Sequence, residues 1–243
     1  MKRDFSMALA ALFFLAQGAA SHAAQAEAAP ASCPGADAWQ AAHPEQLDAA
    51  IDLRDAGRTF TEPALRQELA LRVERDQKWR ARWLKFRSSD ADGRVAMTDA
   101  ENLTWLRDLV REKGFPTAQQ VGERGVSDAW LLAHHASADP RFQASLLLVL
   151  EKRHADGEFG ASDLARFADR VLVSQSLPQW YGTQMSPQKW LTDHYGLPDQ
   201  QSVRDTDARR KALGLMPLAD YVCMMVLART GKAPPLRTAP PGG

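Results

Sequence analysis

Between residues 37 and 230 the apolar residues of this chain return every three to four positions, and only one short stretch breaks that rhythm. A period near 3.6 lines one face of a helix, whereas a strand needs a period of 2. The clearest case follows Thr61. Leu65, Leu69, Val73, Trp79, Trp83 and Phe86 fall on one side of a helix that opens with Glu62 and Pro63 and closes near Arg87. Asp76 shares that side, and Arg80, one turn later, is within reach of it.

The same reading predicts helices over Asp37 to Ala56, from Thr98 to Gly114, from near Ser127 through Ala133, from Asp139-Pro140 to Gly157, and from a Ser162 cap through Leu172. Two closing helices are expected at Ser202 to Leu213 and Leu218 to Thr230. Trp130, Leu131, Leu132 and Ala133 are apolar almost all round, so their helix should be the central, buried one. Gly114-Phe115-Pro116-Thr117 reads as a turn, since proline pushes the residue before it out of the helical region. From Gln179 to Leu191 the helical period fails and aromatic residues alternate, which predicts a short β-hairpin. The expected class is mainly α: a single multi-helix domain over residues 36–230 with one short hairpin, and no internal repeat.

Both ends differ from this body. Lys2 and Arg3, the apolar run Met7 to Ala16 and the small residues Gly18 to Ala24 have the layout of a secretory signal over residues 1–24, cleaved after Ala23 or Ala24. The run is too short for a bilayer span of about 20 apolar residues, so no stable membrane anchor is expected after cleavage. Residues 25–35 read as an Ala/Pro linker and 231–243 as a Pro-rich tail. The expected location is periplasmic or secreted. The two cysteines, Cys33 and Cys223, then either bridge in an oxidising compartment or stay independent thiols. A bridge closes so long a loop that the chain-entropy estimate reaches about 5 kcal/mol.

Composition narrows the partners. Lysine plus arginine and aspartate plus glutamate each number 30, so the formal net charge is zero. That balance predicts no nucleic-acid partner and no charge-driven association. P-loop, HExxH, GxSxG and CxxC signatures are absent. Ser186 to Lys189 spells SxxK without its companion elements. Ser88 to Asp99 has the oxygen spacing of a calcium loop, but Ser88 stands where an aspartate belongs and Asp99 is shorter than the usual glutamate; a polar helix–helix connection is expected there instead. His134, His135 and Asp139 have ligand chemistry, yet neighbouring helical residues point about 100° apart. No metal and no cofactor are expected.

Polar residues standing where apolar neighbours belong are more informative. His135 follows Leu131 by one turn, Gln143 precedes Leu147 by one turn, and Asp169-Arg170 interrupts the run from Phe167 to Val173. Gln179-Trp180-Tyr181-Gly182-Thr183-Gln184 packs two amides, a phenol and a hydroxyl into one short segment. Burying such groups unpaired costs several kcal/mol, so they must satisfy each other or line a wet cleft. As a cleft, they give His135, Asp169 and Tyr181 as catalytic candidates, with His135 the general acid or base. Arg170, Gln143, Gln179, Thr183 and Gln184 become substrate-binding candidates, Arg170 for an anionic group. As a satisfied network, the same residues fix the hairpin against the helices.

Around these positions the sequence resembles an uncharacterised bacterial family, the domain of unknown function 6624. That family's pattern has a GWP turn, a VG step, a QHAD-x-D-x-x-FQ helix, a DR pair, QxYGTQ and a late RR…GL.PL..Y stretch. Here the turn is Gly114-Phe115-Pro116, with Val121-Gly122 after it. His135, Asp139 and Phe142-Gln143 match the helix motif, while His134 and Ser137 replace the family's Gln and first Asp. Asp169-Arg170, Gln179 to Gln184, Arg209-Arg210, Gly214-Leu215, Pro217-Leu218 and Tyr221 follow the pattern, and Asp76-Gln77 with Arg80 resembles an upstream element. The resemblance implies a mostly helical fold and brings no activity with it.

The resulting expectation is an extracytoplasmic enzyme, a hydrolase or transferase acting on an unidentified small molecule. The alternative is a periplasmic binding, inhibitor or immunity-type protein with a protein partner and a purely structural polar cluster. A structural envelope protein without a small-molecule site stands third.

Overall fold

The computed structural model describes residues 32–184 and 186–234. The expected signal over 1–24 and all but the start of the expected tail lie outside the described residues. The fold is mainly helical, and among the described residues no strand forms. In chain order the helices are α1 (Pro34–Ala42), α2 (Asp48–Asp55), α3 (Pro63–Phe86), α4 (Ser89–Lys113), α5 (Ala118–His135), α6 (Pro140–Ala155), α7 (Ala161–Ser174), α8 (Pro187–Trp190), α9 (Gln200–Ala212) and α10 (Leu218–Thr230). None is long and apolar enough to cross a membrane.

α3 and α4 are antiparallel neighbours, and α5 packs against both. Leu69, Leu106, Val121, Trp130, Leu132, Leu146, Leu150 and Phe167 form the main core where α3 to α7 meet. A second core lies between α1 and α10, from Cys33, Ala36, Met216, Leu218, Tyr221 and Val222. Here Cys33 and Cys223 form a disulfide, their Cα atoms 5.8 Å apart. This tie draws Cys33, Pro34 and Gly35 into the folded body, ahead of residue 36.

Several boundaries differ from the pattern in the sequence. The expected Asp37–Ala56 helix is broken at Pro44, where a short 3₁₀ turn, Pro44–Gln46, intervenes. α4 begins at Ser89, well before Thr98, because the Ser88 hydroxyl accepts the Ala91 N–H as a cap. The stretch spaced like a calcium loop is thus helical, which splays its oxygens around the axis. α5 starts at Ala118 rather than near Ser127, with Thr117 and Gln120 forming a capping box.

α5 also kinks. Gly122 has φ 75°, and a Cβ there would meet Arg66 Nη1 at 2.0 Å and Asp55 Oδ2 at 2.4 Å. The Asp55 carboxylate, arriving from α2, accepts the N–H groups of Glu123 and Arg124 at 2.9 and 3.0 Å and so caps α5 beyond the kink. Arg66 joins Asp55 to the Val121 carbonyl. Only glycine fits that crossing.

The expected hairpin over Gln179 to Leu191 is the clearest correction. Residues 179–184 form an irregular loop, and α8 follows. The reason is that the N–H groups a ladder would need are already used: Trp180, Tyr181 and Thr183 all donate to Asp169. Gly182, at φ 72°, makes the turn that brings them to one side.

Candidate functional site

Four helices contribute to the candidate site. The inward side of α3 supplies Asp76 and Arg80, the last turn of α5 supplies His134 and His135, α4 supplies Asp99, and α7 supplies Arg170. The Asp76 carboxylate is almost fully buried and receives three side chains. His135 Nδ1 lies 3.0 Å from Oδ2, Gln77 Nε2 donates at 2.7 Å, and Arg80 Nε donates at 3.1 Å. The Arg80 guanidinium reaches on to Asp99 through Nη2. Burial works against ionisation of Asp76, but the bonds and charges of His135, Arg80 and Gln77 prevail and hold its pKa below the usual carboxylate value. Asp99 goes the other way, because its burial outweighs Arg80. With Nδ1 bound to Asp76, the neutral His135 ring carries its lone pair on Nε2, the tautomer a general base requires.

His134 is the opposite case. Arg170 Nη2 donates to its Nε2 at 3.2 Å. Burial and the charge of Arg170 push its pKa down to about 2, so the ring stays neutral. Its Nδ1 is buried with no hydrogen-bond partner among the described residues, and the same holds for Arg170 Nε. Burial lowers the pKa of Arg170 as well, and its charge lies within electrostatic range of Arg80 and Asp99. No carboxylate pairs with Arg170 among the described residues. A half-buried guanidinium with no anion beside it can receive one from outside the protein.

The remaining sequence candidates gather elsewhere. Asp169 precedes Arg170 on α7 but points away from it, accepting Trp180 N at 2.7 Å, Tyr181 N at 3.0 Å, and both Thr183 N and Oγ1 at 2.9 Å. Gln179 accepts from Gln184 N, and Gln184 donates to the Arg166 carbonyl. Arg209 and Arg210 hold the carbonyls of Trp180 and Tyr181. Gln143 donates to the Ala133 and His134 carbonyls and closes the end of α5. No hydrogen bond or ion pair among the described residues joins His135 to Asp169, Tyr181 or the glutamines. The polar residues therefore form two groups, one around Asp76 and one around Asp169.

Asp76, Arg80 and Asp99 are the partners of His135 that spacing did not assign to it. Their signal was present, since Asp76 is the acid on the apolar side of α3. Asp76, Asp99 and His135 place one ligand atom each within 4.8 Å of one another, a donor set suited to a divalent cation. Arg80 already bonds both carboxylates and supplies positive charge there, so a metal would have to displace it. Larger hollows lie away from this cluster. A cleft of about 650 Å³ is lined by Asp128, Asp163 and Arg166, and a groove of about 680 Å³ by Gln179, Trp180, Gln184 and Arg209. Neither is lined by His135. Burial raises the pKa of Asp128 in the first hollow to about 6, but no histidine among the described residues lines either one.

Fold and cluster together define a mainly helical domain in which a buried aspartate pairs with His135 and, next to it, His134 takes a bond from an arginine that no carboxylate pairs among the described residues. The chain belongs to the family of unknown function DUF6624, whose model matches residues 63–232. No curated protein and no solved structure matches the chain. The matched range takes in both polar groups and leaves out α1, α2 and Cys33.

Proposed function

We propose that this chain is an extracytoplasmic enzyme, a hydrolase or transferase, that uses His135 as general acid–base on a small anionic substrate. One observation carries the reading. A histidine oriented by a buried carboxylate directly follows His134 along the chain, and a half-buried arginine with no carboxylate partner among the described residues donates to His134. Asp76 orients His135 and stabilises the imidazolium formed when Nε2 takes a proton, and Arg80 keeps that carboxylate ionised. Arg170 receives the anionic group of the substrate, with His134 held neutral so that it does not compete for it. Asp169, Thr183, Gln179, Gln184 and Gln143 serve as positioning residues. The terminal signal pattern over residues 1–24 and the Cys33–Cys223 bridge support the compartment.

The alternative, a binding or inhibitor-type protein with a structural network, draws its support from the Asp169 group, whose bonds are all internal. Two measurements separate the readings. In an NMR titration with inorganic phosphate, the His134 and His135 ring signals should shift saturably, and Arg170→Gln should abolish the response with melting preserved. Against a panel of anionic esters, His135→Ala should lower turnover by about 10²–10⁴-fold. Its unfolding free energy should change by under about 1 kcal/mol. No phosphate response, together with a His135→Ala loss of several kcal/mol, overturns the enzyme reading in favour of the network.

A further inference from the structure

The equal totals of acidic and basic residues conceal one locally cationic segment. From Lys78 to Arg87 the sequence runs KWRARWLKFR, with Lys78, Arg80, Arg82, Lys85 and Arg87 and no acidic residue. It forms the last turns of α3. Arg80 points inward to Asp76 and Asp99. Lys78, Arg82, Lys85 and Arg87 are exposed and make no ion pair among the described residues. The charges of three of them lie over aromatic rings: Arg82 over Trp79 and Phe86, Lys85 over Phe86, and Arg87 over Trp83. Leu84 and Phe86 are each 59% exposed, so this helix end offers water two large apolar side chains beside cations that no carboxylate pairs among the described residues. The nearest acids along the chain are the inward-facing Asp76, two residues before Lys78, and Asp90 and Asp92 in the first turn of α4, where they complement its dipole.

We infer that the C-terminal end of α3 docks on an anionic lipid surface. The four outward cations match phosphate headgroups, and half-exposed tryptophans with an exposed Leu and Phe suit the boundary between headgroups and acyl chains. A single-stranded nucleic acid would need free aromatic faces for base stacking, and here guanidinium and ammonium groups cover the rings. The surface is independent of the His135 cluster, which lies on the opposite, inward side of the same helix.

The test is co-sedimentation of the disulfide-bonded protein with phosphatidylcholine vesicles, with and without phosphatidylglycerol. We expect binding only to the anionic vesicles, weakened by salt. It should fall about fivefold for each of Arg82→Gln and Lys85→Gln, and about tenfold for Phe86→Ser. All three side chains are exposed, so circular dichroism melting should stay unchanged and separate lost binding from lost fold. Equal partition onto neutral vesicles overturns the proposal, as does anionic binding indifferent to these variants. Retention on heparin or an oligonucleotide without vesicle binding would reassign the patch to an anionic polymer and overturn it too.

Discussion

Asp76 and Asp169 are the same residue type, both enclosed by helices and both accepting several hydrogen bonds, yet their carboxyl groups are pushed in opposite directions. Asp76 takes its bonds from a guanidinium, an imidazole and one neutral amide, and it is held below the usual carboxylate value. Asp169 takes its bonds from three backbone N–H groups and a hydroxyl, and burial still wins, holding it above that value. The lesson is that hydrogen-bond number does not decide the role of a buried acid; the charge of its donors does. Asp76 is coupled to a proton-carrying ring, and Asp169 fastens a loop.

The largest expected effect tests the fastener. Asp169→Ala strands the N–H groups of Trp180, Tyr181 and Thr183, and should cost about 3–5 kcal/mol in chemical denaturation. A loss under about 1 kcal/mol would break the contrast. The next test uses pH. The folded pKa of Asp76 lies below its unfolded value near 3.8, so its contribution is present above 3.8 and is lost as pH falls through the folded value. For Asp169 the folded value is the higher one, so a cost appears as pH climbs above 3.8. The stability deficit of Asp76→Asn should therefore grow as pH rises, and that of Asp169→Asn should shrink. Deficits of the same sign would merge the two acids into one class. A smaller effect concerns His134, whose folded pKa of about 2 lies below the ordinary histidine value of 6.5. Protons then favour the unfolded chain, so stability should decline by about 1 kcal/mol per pH unit below 6.5 on its account. His134→Gln, measured against the parent protein from neutral to mildly acidic pH, should flatten that slope.

Much of the helical frame was legible because apolar spacing and local caps set it; Asp139 before α6 and the Gly114–Thr117 turn are of this kind. The loop at 179–184 was not legible, because alternation looks the same whether a partner strand or a single carboxylate uses the backbone donors. The start of α4 was missed for a similar reason, since Gly93 and the aspartates around it favour a turn until the Ser88 cap is formed. At the site, His135 and Arg170 stood out as polar residues on apolar faces. The pairing of His135 with Asp76 rather than Tyr181 depends on which helices pack together, and spacing along one helix holds no such information.

The Cys33–Cys223 bond spans 190 positions. Its consequence reaches to proteolysis. One backbone cut in any connection between these residues, such as the segment after α7, leaves two fragments still covalently joined. The nicked molecule would run as two bands on a gel only after a reductant is added, and until then α1 stays beside α10 however the chain between them is clipped.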